Sequence, residues 1–138
     1  MKINILLPYK EKFDENKASS VSITVKNNLN NTKYLKQINI FGQYVQSPLF
    51  KDNFIGLKYC ILSLKSKNNF LAHEMLKIIS KDSDKKHLIE IHNRPYLVDK
   101  ISKVDNFPIS LFFHNDPKTM RGSKSIKDRE KILKKCVA

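Results

Sequence analysis

The sequence predicts an α/β domain with a Rossmann-like, doubly wound parallel sheet. Short runs rich in Ile, Leu and Phe alternate with segments whose apolar residues recur at helical spacing. That alternation implies parallel strands with helices packed on both sheet faces. In addition, two of the strand-like runs end alike, in His92-Asn93-Arg94-Pro95 and in His114-Asn115-Asp116-Pro117. Open α/β sheets bind ligands at the carboxyl ends of their strands. The two His-Asn endings, about one βα unit apart, therefore predict a single cleft lined by successive strand ends.

The first strand is Ile3-Asn4-Ile5-Leu6-Leu7, closed by Pro8, and a polar loop follows over 9–17. Val21, Val25 and Leu29 fall at i, i+4 and i+8, which predicts a helix begun at Ser19 or Ser20. Val21, Ile23 and Val25 also alternate as in a strand, but Ala18 and Leu29 extend the helical period. A second strand is expected over 35–41, ended at Gly42. Residues 43–53 read as a loop containing Pro48, and 54–64 as the place of a short third strand. Asn68 or Asn69 is the expected cap of a helix with Leu71, Met75, Ile78 and Ile79 as its apolar stripe. A polar turn over 81–86 leads to the fourth strand, 88–91. Pro95 suits the first turn of the next helix, whose buried face is Leu97, Val98, Ile101 and Val104. Pro108 precedes the fifth strand, 109–113. Ser125-Ile126-Lys127-Asp128 has the pattern of a capping box and opens a helix to about Lys135. Cys136-Val137-Ala138 is where a sixth strand is expected to begin.

The chain of 138 residues is long enough for one domain with its own core, and 41% hydrophobic with 28% charged residues is a globular composition. A formal charge of +13 favours anionic partners, among them phosphorylated substrates, an anionic membrane surface and nucleic acid. Two distant cysteines, Cys60 and Cys136, give neither a metal cage nor a disulfide framework and suit a reducing, cytoplasmic setting. No signal peptide or membrane span is expected, so any membrane contact is peripheral.

The three glycines, Gly42, Gly56 and Gly122, all lie outside the first strand-to-helix turn, which argues against glycine-rich binding of NAD, FAD or ATP. That turn instead carries Lys17-Ala18-Ser19-Ser20, where free backbone N–H groups can receive an anion or simply be capped. An imidazole at a strand end can donate to a sugar or phosphate oxygen, or act as acid or base near neutral pH. His92 and His114 are the candidates, with Asp116 able to orient a substrate hydroxyl or to form an Asx turn before Pro117. No thiolate lies near them for zinc. His73 and His87 read as surface or helix residues. Arg121 and Lys124 can clamp a phosphate or carboxylate at the cleft mouth. The later lysines up to Lys135 form a solvated helix face or one lying on anionic headgroups. Stacking aromatics do not interleave with them, so no specific nucleic acid is expected.

Residues 2–8 with Phe13 and Ala18-Ser19-Ser20, 89–95, 113–117 and 120–125 with Asp128-Arg129 together resemble the N-terminal domain of family 4 glycosyltransferases. The resemblance implies one half of a GT-B fold. It implies metal-independent, retaining transfer from a nucleotide-sugar to a glycan or lipid-linked acceptor, in polysaccharide or lipopolysaccharide synthesis at the inner membrane face. It makes this chain the acceptor-side domain, with the donor held by a separate C-terminal domain and little transfer by this chain alone. By the same resemblance His114 faces the donor sugar, and Lys17 to Ser20 approach the donor diphosphate and the acceptor. His92, Asn93, Arg94 and the stretch from Arg121 to Lys124 border the acceptor, and Asn115 is a further expected substrate-binding residue. The glycine pair common in that first loop is absent here. The other reading that the sequence leaves open is a non-enzymatic basic α/β module holding an acidic partner or nucleic acid through residues 118–135.

Overall fold

The computed structural model describes residues 1–82, 86–104 and 106–137. Five strands form one all-parallel sheet: β1 (Lys2–Leu6), β2 (Ile38–Gln43), β3 (Phe54–Leu57), β4 (His87–His92) and β5 (Ile109–Phe112), in the order β3-β2-β1-β4-β5. The helices are α1 (Ser20–Asn30), α2 (Lys67–Ile79), α3 (Tyr96–Ile101) and α4 (Ile126–Leu133). The strand order reverses at β1, so the carboxyl ends of β1 and β4 flank the switch point of a doubly wound sheet.

Side-chain alternation sorts the core into two layers. Ile5, Leu7, Ile38 and Ile40 meet Val21, Val25 and Leu29 of α1 on one face. Leu6, Phe41, Ile89, Ile91 and Ile109 meet α2, α3 and Ile132 of α4 on the other. Helix α1 forms as its spacing predicts, capped by the Ser19 hydroxyl, which accepts from the Ser22 N–H at 3.3 Å. The capping box of α4 is complete, with Asp128 N–H donating to Ser125 Oγ at 3.0 Å and Ser125 N–H to the Asp128 carboxylate at 3.2 Å. After α4 the chain returns to the sheet, where the Val137 N–H donates to the Ile109 carbonyl at 2.9 Å. Ala138 of the expected sixth strand and residues 83–85 of the expected polar turn lie outside the described residues.

Several local expectations are corrected. Gly42 does not end the second strand. It sits inside β2 opposite Gly56, where a Cβ would come within 3.3 Å of the Phe54 ring, so close packing of an aromatic explains it better than a turn. Helix α2 starts earlier, after Ser66, and Asn68 is used elsewhere, its Oδ1 accepting the Tyr9 N–H at 2.7 Å. Its buried arc is Leu71, Ala72, Met75, Leu76 and Ile79. At roughly 100° per residue, Ile78 falls about 90° from the centre of that arc and is exposed. Val104 lies beyond the end of α3, outside the helical period, and is exposed too. Strand β5 stops at Phe112, one residue before the expected end. His87 is buried on β4, where its Nδ1 accepts from Asn4 Nδ2 at 3.1 Å and its Nε2 donates to the Asp82 carbonyl at 3.1 Å.

Candidate functional site

The register of β4 on β5 pairs His92 with Phe112, so the chain that continues past β5 passes directly beside the end of β4. Asn93 makes the turn. It adopts the left-handed conformation at φ 51°, which asparagine tolerates better than most residues. Its N–H donates to the Phe112 carbonyl at 2.9 Å, and its Oδ1 accepts the His114 N–H at 2.8 Å. One buried side chain thereby ties the two strand ends together and sets where the His114 ring starts.

The two imidazoles meet. His92 Nδ1 and His114 Nε2 are 2.7 Å apart, with ring centroids at 5.0 Å and planes 19° apart. A short N···N distance with nearly parallel planes and well-separated centroids describes two rings lying side by side and sharing one in-plane proton. The far nitrogen of His92, Nε2, donates to Glu90 Oε1 at 2.7 Å. Glu90 and His92 are two apart on β4 and so share a face. His92 is only 1% exposed and lies flat against Phe112, with centroids at 5.4 Å.

This chain of bonds assigns the protons. The carboxylate of Glu90 accepts, so His92 carries hydrogen on Nε2. In neutral His92 the Nδ1 lone pair then accepts the Nε2–H of His114. That leaves His114 Nδ1 with a lone pair and no hydrogen-bond partner among the described residues. Burial lowers the pKa of His114 below the usual histidine value, and the neighbouring His92 lowers it further, while Glu11 and Glu90 pull the other way. Glu11 belongs to the loop between β1 and α1, so that loop faces the imidazole pair electrostatically. The site thus presents a neutral base at a strand end, backed by a second imidazole and a carboxylate that can take up positive charge.

The other expected site residues are placed as follows. Arg94 is partly buried and donates from Nη1 to the Asn93 carbonyl at 2.7 Å, bracing the left-handed turn. Asn115 and Asp116 are exposed, and Asp116 Oδ1 accepts the Lys118 N–H at 2.9 Å, the Asx arrangement at the start of a short 3-10 turn. Ser19 is the α1 cap, while Lys17 and Ser20 are exposed beside it. Arg121 lies over the Tyr96 ring at 5.3 Å, and Lys124 is exposed.

Part of the basic region is bound into the fold. Arg129 Nη1 donates to the Ser123 and Lys124 carbonyls, each at 2.9 Å. Asp99 of α3 collects Lys135 at 2.5 Å, Lys103 at 3.0 Å and Lys131 at 3.1 Å, and these cations hold its carboxyl well below the usual carboxylate range. Sequence reasoning missed Glu90. Its two-residue offset from His92 on a strand was the available signal.

Among the described residues no group of three or more His, Cys, Asp or Glu side chains is gathered to hold a metal ion, and no helix is long and apolar enough to cross a membrane. No family model matches the chain, and neither a curated protein nor a solved structure does so.

Proposed function

We propose that this chain is the acceptor-side domain of a glycosyltransferase of the two-domain kind, working with a separate domain that holds the nucleotide-sugar. The observation that carries the reading is the Glu90–His92–His114 chain at the carboxyl ends of β4 and β5, beside the switch point. An acceptor hydroxyl would donate its hydrogen bond to His114 Nδ1. As the hydroxyl oxygen bonds to the anomeric carbon of the donor from the face opposite the nucleotide, the bond from that carbon to the nucleotide phosphate breaks, and the phosphate leaves with the electron pair; a base-assisted displacement of this kind inverts the anomeric centre, where the resemblance implies retention. The hydroxyl proton passes to His114 Nδ1. The Nε2 proton of His114 can then pass to His92 Nδ1, which leaves the positive charge beside the Glu90 carboxylate rather than at the reacting oxygen. Asn93 and Arg94 hold the two strand ends at the spacing this relay needs. Arg121 and Lys124, on the loop leaving β5, offer exposed cations to the phosphate of a lipid-linked acceptor.

The test is transfer by the chain combined with a donor-binding domain. His114→Ala is expected to reduce transfer by about 10²–10⁴-fold, the usual size of a general acid–base contribution. Asn115→Ala, at an exposed position beside it, is the control for local disruption. Transfer unchanged in His114→Ala would remove the imidazole pair from the mechanism. With the chain alone, polyprenyl-phosphate-linked saccharides are expected to shift the His92 and His114 ring resonances, and a panel of such acceptors leaving both unmoved would overturn the reading.

A further inference from the structure

Along the same rim as the imidazole pair, the segment between β3 and α2 exposes Ile61 by 91%, Leu62 by 89% and Leu64 by 105%. Three large apolar side chains in four residues make almost no contact with the rest of the protein. Isolated exposed leucines are ordinary, but a cluster left bare in water marks an interaction surface.

The segment is held in shape. Ser63 N–H donates to the Cys60 carbonyl at 3.0 Å, closing a turn. The Tyr59 hydroxyl lies 3.3 Å from the Ser63 carbonyl and 3.1 Å from that of Lys65, and can donate to either. Tyr59 is itself packed edge-on against Phe70 at 5.1 Å. The apolar side chains are thus presented by an anchored loop.

Its surroundings have the chemistry of a membrane interface. From residue 53 to 73 there is no Asp or Glu, and Lys58, Lys65 and Lys67 surround the loop. Behind Ile61 opens a groove of about 500 Å³ lined by Tyr9, Tyr44, Tyr59, Lys58 and Lys67. Lys67 Nζ sits 4.5 Å from the Tyr9 ring centre, and Lys58 Nζ sits 4.7 Å from that of Tyr44. Tyrosines beside lysines, with aliphatic side chains projecting beyond, match the layering of headgroup and acyl region. A second copy of the chain is a poorer occupant, since it would bring lysine against lysine and +13 against +13.

We propose that the 60–65 loop is a membrane-docking element that inserts Ile61, Leu62 and Leu64 shallowly into bilayers containing anionic phospholipid, with Lys58, Lys65 and Lys67 on the lipid phosphates. This surface differs from the lysine face of 118–135 and does not depend on sugar transfer. It leaves the carboxyl end of β3, and three strand spacings separate β3 from β4, roughly 14 Å. Docking there would bring the rim that carries His92 and His114 to the bilayer surface.

The experiment is co-sedimentation of the purified chain with vesicles of equimolar phosphatidylcholine and phosphatidylglycerol, compared with phosphatidylcholine alone. Binding is expected only to the mixed vesicles. Ile61→Asp with Leu64→Asp should weaken it about a hundredfold, taking roughly tenfold per apolar side chain. Lys58→Gln with Lys67→Gln should weaken it by about fivefold per charge, with reduced salt sensitivity. A polarity-sensitive dye on Cys60, in a Cys136→Ser background, should shift to the blue on mixed vesicles. Both aspartates replace exposed residues, and an unchanged circular dichroism spectrum checks that the variant folds. No binding to mixed vesicles, equal binding by the aspartate variant, or a dimer abolished by those aspartates would each overturn the proposal.

Discussion

Removing the carboxylate at the end of the imidazole chain tests the site without touching either histidine. In Glu90→Ala, His92 Nε2–H loses its acceptor at 2.7 Å inside a ring that is 1% exposed. A bond to a charged group is worth about 1.5–3 kcal/mol, and leaving its donor buried and unpaired brings the full penalty. The Glu90 side chain is 18% exposed, so water can reach part of the vacated space, and about 2 kcal/mol is the expected loss. For a chain of 138 residues that is roughly a 6–10 °C fall in Tm. Glu90→Gln keeps an acceptor oxygen and should lose about half as much. Replacing both partners, Glu90→Leu with His92→Phe, removes the buried donor and leaves only the Nε2–H of the partly exposed His114 to be satisfied by water, so it should be less destabilised than Glu90→Ala alone. Urea unfolding followed by circular dichroism reads all three. A Glu90→Ala stability within about 0.5 kcal/mol of the parent, the range of an ordinary surface change, would refute the hydrogen-bonded chain. So would a double variant as destabilised as Glu90→Ala or more so.

Three further outcomes follow from the same geometry. Because burial and His92 lower the His114 pKa from its ordinary 6.5, the unfolded chain binds more protons than the folded one between the two values. Unfolding free energy should therefore be highest above pH 6.5 and fall on acidification toward the lower folded value, with a flatter profile in His114→Gln; stability that rises on acidification through this window contradicts the assignment. Gly122 has φ +92°, and a Cβ there would lie 2.8 Å from the Tyr96 backbone, so Gly122→Ala should cost about 2 kcal/mol or more in urea unfolding and shift the Tyr96 resonances. Asp99→Asn should cost about 1 kcal/mol at low salt and less at high salt, because three lysines meet one partly exposed carboxylate; a salt-independent loss would mean packing rather than charge.

The order of elements was legible because apolar period and run length differ sharply along this chain. The segment at 18–29 shows why a whole face outweighs a local triplet. Val21, Ile23 and Val25 alternate like a strand, but Val21, Val25 and Leu29 bury together while Ile23 stays exposed. Misreadings came where a residue type serves two ends. Gly42 reads as a strand stop but makes room for Phe54. Asn68 reads as a helix cap but receives the Tyr9 N–H. At the site, period two placed both histidines at strand ends. Their contact was not legible, because it depends on the β4–β5 register and on the left-handed turn at Asn93. The exposed loop at 61–64 falls in the stretch expected to hold the third strand, and nothing in its composition says whether a core receives it.

The two ends of the central strands carry similar side chains to opposite effect. At the amino end, Asn4 on β1 accepts from Asn39 Nδ2 at 3.1 Å through its Oδ1 and donates to His87 through its Nδ2, while the other His87 nitrogen donates to a backbone carbonyl. Both His87 nitrogens are taken, and Asn4 and His87 are buried, so the ladder joins β2, β1 and β4 with no imidazole nitrogen left to offer. At the carboxyl end the chain begins at a carboxylate, passes through a buried imidazole and stops at a ring whose last nitrogen has no described partner. A closed ladder needs neutral groups in matched number. The open one needs a charge reservoir at its inner end, because only then can its outer nitrogen gain a proton without leaving a lone cation in a partly buried ring. Glu90 supplies that reservoir. On this contrast the histidine at the start of β4 is structural, and the one five residues along the same strand is the candidate for a site.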